Sequence, residues 1–306
     1  MLHLGSGVLR AIKIEDLHEA NVDFILWLAD WFAWINNKLG GSLEMIHKAN
    51  DYFVEAWKAC GVDMKKVKVL KTSDAVKDPD YWKGVINISK ITTVQRAIRA
   101  GTIMGRDEKE MQHVAQLLYP MMQAYDPFYI RADILQLGMD QRKAMILTRE
   151  VASHIDGSIR IVAGHHLLAG LQGTQRMGPA EAKMSKSIGD SAIFIHDTKE
   201  EIKEKITRAF CPPKTVENNP ILEIWKYVVF RKFDSRTIKR KGQKALEVQS
   251  YEELKKSYEE GLHPADLKAE TIEVLDEIIN PIRTYFEKNE KARALYKTIK
   301  AAKVTR

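Results

Sequence analysis

The sequence predicts an α/β protein, in which a parallel sheet is covered by helices, followed by a helical C-terminal region. Short apolar runs typical of buried strands alternate with helical stretches over the first two thirds of the chain. The pair Pro212-Pro213 then interrupts the chain, and the pattern beyond it is helical and charged. A length of 306 residues accommodates two ordinary domains. We therefore predict an α/β domain over residues 1–212 and a helical domain over residues 213–306.

The N-terminal part begins with two pairs of a helix and a strand. Apolar residues at helical spacing predict a helix over Gly7–Ala20, and the short apolar run Asn21–Ala29 predicts a buried strand. A second pair follows, with a helix over Met45–Ala59 and a strand over Lys66–Leu70. This alternation favours a parallel sheet with helices on its faces.

The pattern continues through the middle of the chain. Asp80–Tyr119 is mostly helical and is expected to end near Pro120. The glycine-rich stretch Gly164–Gly189 is polar and aperiodic, so it is predicted to be a mobile loop. The remaining predicted strands are Ile130–Leu137, Ile159–Ala163 and Ala192–Ile195, and the remaining helices are Gln141–Ala152, Thr198–Phe210, Tyr251–Glu260 and Ala269–Glu290.

Composition narrows the class of protein. Hydrophobic residues make up 45% of the chain, which supports a packed core, and the net charge of +7 suits a polyanionic partner without requiring one. The two cysteines, Cys60 and Cys211, form no metal-type pair and indicate a reducing compartment. Because no apolar run is long enough to span a bilayer and no signal peptide follows Met1, we expect a cytoplasmic protein.

Two short motifs carry candidate phosphate chemistry. His3-Leu4-Gly5-Ser6 precedes a helix, whose N-terminal amides attract phosphate, and Gly5 permits a ligand to approach the backbone. Lys183-Met184-Ser185-Lys186-Ser187 places two lysines in a loop that could stabilise charge developing in a transition state. Each motif alone is also explained by ordinary structure, as a helix start capped by Ser6 and as a solvated basic loop.

A third group of polar residues lies between these motifs. Tyr119, Gln123 and Asp126 are spaced by four and three positions, so they share one face of a helix. A buried aspartate needs a partner, so this face is either exposed or lines a polar pocket. The sequence Gly138-Met139-Asp140-Gln141-Arg142-Lys143 follows shortly after it.

Together these motifs resemble those of a known family. The first two are similar to the class I aminoacyl-tRNA synthetase signatures His-x-Gly-His and Lys-Met-Ser-Lys-Ser, with Ser6 replacing the second histidine. The helix face, followed by Gly-x-Asp-Gln, resembles the tyrosine pocket of archaeal-type tyrosyl-tRNA synthetases. The resemblance extends from Leu2 to about Phe286.

The resemblance implies roles for individual residues. Those expected to act in catalysis are His3, Gly5, Ser6, Lys183 and Lys186. Those expected to bind tyrosine are Tyr119, Gln123 and Gln141 at its ammonium group and Asp126 at its hydroxyl. Those expected to bind ATP are His3, Gly5, Gly138, Asp140, Lys183, Met184, Ser185 and Lys186. Those expected to contact tRNA are Arg142 and Lys143 at the acceptor stem and His263 and Asp266 at the anticodon.

The implied architecture is a Rossmann-like, HUP-type catalytic domain with a helical C-terminal anticodon-binding domain. A helical insertion at about 80–118 is expected to form a homodimer interface. The implied substrates are L-tyrosine, ATP accompanied by Mg²⁺, and tRNA(Tyr), with no membrane partner and no dedicated protein metal site. The alternatives are a tryptophanyl-tRNA synthetase, a non-catalytic tRNA-binding paralogue and a small-molecule nucleotidyltransferase.

The sequence departs from the family pattern at three places. Relatives carry roughly 30 further residues, including a strand, before the His-x-Gly motif. A Lys-Phe-Gly-Gly segment, whose phenylalanine stacks on an anticodon base, has no counterpart where Lys244 meets Ala245. The run Gln172–Lys183 also looks abruptly joined. The missing N-terminal residues have three explanations: a true truncation, a segment omitted from the sequence, or a start site chosen too late. Because a sheet without an inner strand would expose apolar edges, we favour omitted segments at these points.

Overall fold

The computed structural model describes residues 1–173, 184 and 191–302, and these divide into two compact units. The first unit contains Met1–Phe24, Lys48–Lys68 and Leu168–Ala302. The second unit contains residues 25–47 and 69–167. Each unit therefore combines segments that are distant in the sequence. Among the described residues, no helix is both long enough and apolar enough to span a membrane.

The predicted alternation of helices and strands is present. The first helices are α1 (Val8–Glu19), α2 (Asp30–Ile35), α3 (Leu43–Ala59), α4 (Thr72–Ala75), α5 (Pro79–Ile91), α6 (Val94–Gly101), α7 (Val114–Tyr129) and α8 (Arg142–Val151). The later helices are α9 (Lys199–Arg208), α10 (Pro220–Tyr227), α11 (Tyr251–Glu260), α12 (Pro264–Lys288) and α13 (Glu290–Ala301). The strands are β1 (Phe24–Leu28), β2 (Val67–Lys71), β3 (Ile134–Gly138), β4 (Ile161–His165), β5 (Arg236–Ile238) and β6 (Leu246–Val248).

The strands pair two by two. β1 pairs with β2, and β3 runs parallel to β4 with Ile134 opposite Ile161 and Gly138 opposite His165. β5 and β6 form an antiparallel pair. The α/β class with parallel pairing is thus confirmed. The single sheet expected from the sequence is divided, within the described part of the chain, into separate pairs.

The core of the second unit lies between α5, α7 and α8. Fully buried side chains from these helices include Val85, Ile88, Met122 and Leu147. The helix α5 begins where Pro79 occupies its first turn and the Asp78 carboxylate accepts the backbone N–H of Asp80. This core fixes α7, which carries the predicted polar face.

The prediction that a helix ends near Pro120 is wrong. Pro120 and Pro127 both lie inside α7, which runs from Val114 to Tyr129. Each proline lacks a backbone N–H and so removes one helical hydrogen bond, a cost of about 3 kcal/mol or more in a helix interior. Both prolines are buried, so packing against the surrounding core offsets that cost.

Replacing Gly84 with alanine is expected to lower the free energy of unfolding by about 2 kcal/mol. A Cβ at Gly84 on α5 would lie 1.9 Å from Cζ of Tyr125 on α7, and neighbouring aromatic rings surround Tyr125. Gly101→Ala is the matched control, because its Cβ would meet the flexible Cε end of Met111. Urea denaturation compares the two variants, and equal losses would contradict the expectation.

The first unit is organised around α12. The indole N–H of Trp225 on α10 donates to Oγ1 of Thr271 on α12 at 2.8 Å, and both side chains are fully buried. The helix α9 begins with a capping box, in which Thr198 and Glu201 each satisfy a backbone N–H of the other. These contacts hold the helices that the sequence predicted beyond residue 197.

Two predictions fail in this unit. The stretch beyond Pro213, expected to be helical, contains the hairpin of β5 and β6. The strand predicted over Ala192–Ile195 is reduced to an isolated antiparallel bridge between His3 and Phe194. This bridge joins the N-terminal segment to the chain that follows the lysine-rich motif.

Candidate active site

The His3–Ser6 loop is closed by its own hydrogen bonds. The backbone N–H of His3 donates to Oγ of Ser6 at 3.1 Å, and the backbone N–H of Gly7 donates to the carbonyl of His3 at 2.8 Å. The backbone N–H of Ser6 approaches Nδ1 of His3 at 3.4 Å. An imidazole whose Nδ1 accepts a hydrogen bond carries its proton on Nε2 when neutral. His3 is therefore arranged to present an N–H donor.

Ser6 does not act as the helix cap that the alternative interpretation requires. The residue before α1 is Gly7, and no side chain caps that helix. The Ser6 hydroxyl instead contacts the backbone of His3, with its oxygen 3.3 Å from the His3 carbonyl. The serine that replaces the usual histidine thus shapes the loop.

Gly5 leaves room for the His3 ring. A Cβ at Gly5 would lie 3.2 Å from Cε1 of His3, closer than ordinary contact, and 3.8 Å from Cδ1 of Leu168. Leu168 also links the loop to the lysine-rich motif, because its carbonyl accepts the backbone N–H of Met184 at 2.9 Å. The Met184 side chain is buried, so it serves as an anchor there.

Lys183, Ser185 and Lys186 of the lysine-rich motif lie outside the described residues, as does Ser187. Their predicted roles in ATP binding and catalysis stay predictions from the sequence. The described contact nearest to them in the chain is the one between Met184 and Leu168.

Asp126 lies at the centre of a hydrogen-bonded group in the second unit. The hydroxyl of Tyr81 on α5 donates to Oδ1 of Asp126 at 2.7 Å, and the indole N–H of Trp27 on β1 donates to Oδ2 at 2.8 Å. Asp126 is only 5% exposed, which excludes the interpretation that this face of α7 is simply solvated. Each carboxylate oxygen has capacity for a second donor.

Burial raises the pKa of the Asp126 carboxyl to about 7, although the hydrogen bonds from Tyr81 and Trp27 act in the opposite direction. Burial and the neighbouring Asp126 carboxylate also raise the pKa of the Tyr81 hydroxyl, which therefore remains a donor. A carboxyl that titrates near neutrality in a buried polar group is typical of functional sites.

The stability of the protein is expected to fall as the pH rises from about 4 to about 7, through Asp126. In this window an unfolded aspartate is ionised while the buried Asp126 keeps its proton, so ionisation favours the unfolded state. The slope is at most about 1.4 kcal/mol per pH unit. Urea midpoints of the wild type and Asp126→Asn, measured across this range, should converge or cross as the pH rises. A constant difference would contradict the assignment.

Gln123 and Gln141 meet at the same face of α7. Nε2 of Gln123 donates to Oε1 of Gln141 at 3.0 Å, and Nε2 of Gln141 approaches the carbonyl of Ile103 at 3.4 Å. Oε1 of Gln123 is buried and has no hydrogen-bond partner among the described residues. Tyr119 packs edge-on against Phe32, with ring centroids 4.8 Å apart. The structure thus brings together the predicted residues of the tyrosine pocket.

Gly138 occupies the end of β3, where a side chain does not fit. A Cβ at this position would lie 2.6 Å from Oδ1 of Asp140 and 2.9 Å from Cδ2 of Leu167. Because Gly138 has no side chain, the carboxylate of Asp140 can lie close to the end of β3. This position matches the general rule that ligands of parallel α/β folds bind at the carboxyl ends of strands.

The predicted tRNA-contacting residues lie on the surface. Arg142 and Lys143 are exposed in the first turn of α8, and Nζ of Lys143 donates to Oγ1 of Thr102 at 2.7 Å. His263 caps α12, because its Nδ1 accepts the backbone N–H of Ala265 at 3.1 Å. Asp266 follows in the first turn. The helix-start interpretation of this segment is correct, and it leaves the anticodon interpretation open.

Sequence reasoning missed Trp27 and Tyr81, the two donors to Asp126. Trp27 is 99 positions from Asp126 in the chain, and Tyr81 is 45 positions away. The only available signal was that a buried aspartate needs partners, which does not identify them.

Comparison with known proteins defines the class to which this fold and site belong. Residues 1–280 match the family model for tRNA synthetases class I (W and Y). A tyrosine–tRNA ligase of Saccharolobus solfataricus is 44% identical over 305 residues, covering 94% of this chain and 82% of that protein. The cytoplasmic tyrosine–tRNA ligase 2 of Arabidopsis thaliana is 43% identical over 312 residues, and the chain spans only 41% of its length.

The solved structures agree with the sequence comparisons. The tyrosyl-tRNA synthetase of Pyrococcus horikoshii, complexed with L-tyrosine, superposes with a TM-score of 0.88 at 38% identity, covering 97% of this chain and 88% of that one. The chain belongs to the class I tRNA synthetases of the tryptophan and tyrosine family. Within that family, the proteins of Saccharolobus solfataricus and Pyrococcus horikoshii, each covered over most of its length, are named a tyrosine–tRNA ligase and a tyrosyl-tRNA synthetase. The predicted family, fold class and enzyme class are thus confirmed.

Proposed function

We propose that the chain activates L-tyrosine with ATP, giving tyrosyl-adenylate and pyrophosphate, and then transfers the tyrosyl group to tRNA(Tyr). The observation that carries the proposal is the buried polar face of α7. Asp126 and Gln123 lie on that face. Asp126 already accepts two hydrogen bonds, and Oε1 of Gln123 has no partner among the described residues. A ligand with a hydroxyl at one end and an ammonium group at the other satisfies both.

The chemistry of tyrosine fits this arrangement. Its phenolic O–H would donate to Asp126, whose oxygens retain acceptor capacity beside Trp27 and Tyr81. Its ammonium group would donate to Oε1 of Gln123, with Tyr119 and Gln141 beside it. Tryptophan has an indole N–H in place of the hydroxyl and a larger ring. Because that N–H is also a donor, a hydrogen bond to Asp126 alone does not separate the two substrates, and it is the relatives that favour the tyrosine assignment.

The reaction needs no protein nucleophile. A carboxylate oxygen of tyrosine attacks the α-phosphorus of ATP, the bond to the β-phosphate breaks, and pyrophosphate leaves. A ribose hydroxyl of the terminal adenosine of tRNA then attacks the tyrosyl carbonyl carbon and AMP leaves. The protein supplies positioning and charge stabilisation. His3 and the loop around Gly5 would donate to the phosphates, and Lys183 and Lys186 would stabilise the developing charge.

We assign the nucleotide's metal to the nucleotide and not to a protein site. The described residues contain no group of three histidine, cysteine, aspartate or glutamate side chains that could hold a metal ion. Mg²⁺ commonly binds through substrate phosphates with few protein ligands, and this mode requires no such group of protein side chains. When bound, Mg²⁺ would neutralise part of the triphosphate charge.

We also propose that the protein forms a homodimer and contacts tRNA at two places, the acceptor stem and the anticodon. Exposed apolar side chains on the helices of the 80–118 insertion support the dimer; they are Ile86, Ile91 and Val94, with Val114 at the start of α7. Arg142 and Lys143 would contact the acceptor stem, and His263 and Asp266 the anticodon. The domain boundary near Pro213 and a cytoplasmic location stay predictions.

The decisive experiment is ATP–pyrophosphate exchange with tyrosine, tryptophan and phenylalanine supplied separately. Exchange that depends on tyrosine alone is the expected result. Exchange with tryptophan would transfer the substrate assignment to the other branch of the family. No exchange with any of the three, from folded protein, would leave the tRNA-binding paralogue and the small-molecule nucleotidyltransferase.

A further inference from the structure

Two side chains of α3 form hydrogen bonds with backbone groups of the His3–Ser6 loop and of the residue before it. The indole N–H of Trp57 donates to the carbonyl of Ser6 at 3.0 Å. The hydroxyl oxygen of Tyr52 accepts the backbone N–H of Leu2 at 3.4 Å. The loop is therefore attached to one helix at each of its ends, with His3 and Gly5 between the two attachments.

The Tyr52 hydroxyl has a second buried partner, the ring of His196. Oη of Tyr52 lies 2.9 Å from Nε2 of His196, whose ring stacks on Tyr296 with centroids 3.8 Å apart. Burial lowers the pKa of His196 to about 3, so the ring is neutral near pH 7. A neutral Nε2 that accepts the Tyr52 proton leaves the Tyr52 oxygen to accept from Leu2. Tyr52 is fully buried, which prevents water from replacing these partners.

The opposite side of the loop leaves little freedom. The backbone N–H of Leu4 donates to the carbonyl of Ile193 at 2.7 Å, and the backbone N–H of Ile195 donates to the carbonyl of Leu2 at 3.2 Å. A Cβ at Gly7 would lie 2.7 Å from Cγ2 of Ile195. The loop is thus hydrogen-bonded both to α3 and to the Ile193–Ile195 segment, and the close approach of Ile195 leaves no room for a side chain at position 7.

We propose that Trp57 and Tyr52 are positioning residues for ATP, which hold the His3–Ser6 loop in the geometry that meets the triphosphate. The proposal rests on the proposed function for the identity of the nucleotide. Trp57 and Tyr52 do not contact the substrate in this assignment, and they act only through the loop backbone. Ser6 contributes its carbonyl to this attachment while its hydroxyl closes the loop.

The test uses Trp57→Phe, which removes the indole N–H and keeps an aromatic ring. Because a displacement of about 1 Å at a reacting group can cost about 10²-fold, loss of one attachment is expected to weaken ATP use about tenfold. The Kd for ATP and the KM for ATP in pyrophosphate exchange should both rise, while the KM for tyrosine stays within about twofold. Tyr52→Phe removes the second attachment and should act in the same direction, so it keeps the test valid where Trp57→Phe folds poorly.

The matched control is Trp225→Phe. Trp225 is buried in the same unit and loses an equivalent indole hydrogen bond, to Thr271, away from the loop. Thermal unfolding should show comparable losses for Trp225→Phe and Trp57→Phe, whereas only Trp57→Phe should change ATP kinetics. The positioning role is overturned if Trp57→Phe and Tyr52→Phe leave the KM for ATP unchanged. It is also overturned if Trp225→Phe changes this KM as much as they do.

Failure of the proposed function is distinguishable from failure of this inference. ATP binding, measured by equilibrium dialysis without tyrosine, tests the loop independently of activation. Weaker ATP binding by Trp57→Phe, in a protein without tyrosine-dependent exchange, supports the positioning role and rejects the proposed reaction. Normal ATP binding by Trp57→Phe and Tyr52→Phe, in a protein with full tyrosine-dependent exchange, rejects the positioning role and supports the proposed reaction.

Discussion

Above the Asp126 pKa of about 7, where this carboxyl is ionised, replacing Asp126 with asparagine is expected to lower kcat/KM for tyrosine in pyrophosphate exchange about 10²-fold. The reason is that a charge-assisted hydrogen bond contributes about 1.5–3 kcal/mol. The substitution keeps the size of the side chain. It also places an amide N–H₂ against the donors Tyr81 and Trp27, so the pocket loses acceptor capacity.

The same variant should use phenylalanine relatively better than the wild type does. A site built to bond a hydroxyl rejects an analogue that lacks it, and tyrosyl-tRNA synthetases are themselves the standard example, at about 10⁵-fold. Asp80→Asn is the control, because Asp80 is an exposed carboxylate near the start of α5. Unchanged selectivity in a folded Asp126→Asn protein would make Asp126 a structural residue.

Replacing Lys183 with alanine is expected to lower kcat for tyrosine activation about 10²- to 10³-fold, the range found when one donor to a developing negative charge is removed. The KM for tyrosine should change little, because the lysine would act on the phosphates and not on the amino acid. Pre-steady-state measurement of tyrosyl-adenylate formation separates the chemical step from binding. Lys203→Ala, an exposed lysine on α9, is the control. A variant that raises only the KM for ATP would instead assign Lys183 to ground-state binding.

Regular patterns in the sequence predicted most of the fold. The helices α1, α3 and α9 carry apolar residues at helical spacing, and the strands β1 to β4 lie in short apolar runs, so their positions were read to within a few residues. The β5–β6 hairpin was missed because its strands have three residues each and lie among charged residues. Pro120 was read as a stop, since local propensity cannot show that tertiary packing holds a proline inside a helix.

The candidate site was predicted as residue types but not as contacts. The spacing of Gln123 and Asp126 placed them on one helix face, and the structure confirms that helix. The donors to Asp126 come from β1 and α5, at separations that no local pattern encodes. Likewise, nothing around Ser6 in the sequence indicates that Trp57 on α3 bonds its carbonyl.

The order in which the chain is synthesised follows from the way the two units are divided. All described residues of the second unit precede Leu168, whereas the first unit combines both ends of the chain. In the first unit, the hydroxyl of Tyr285 on α12 donates to Glu55 on α3, 230 positions earlier. Contacts between residues so far apart form late, because closing the intervening loop costs chain entropy that only further contacts offset. A nascent chain on the ribosome can therefore complete the second unit early, whereas the first unit is completed only after α12 has emerged.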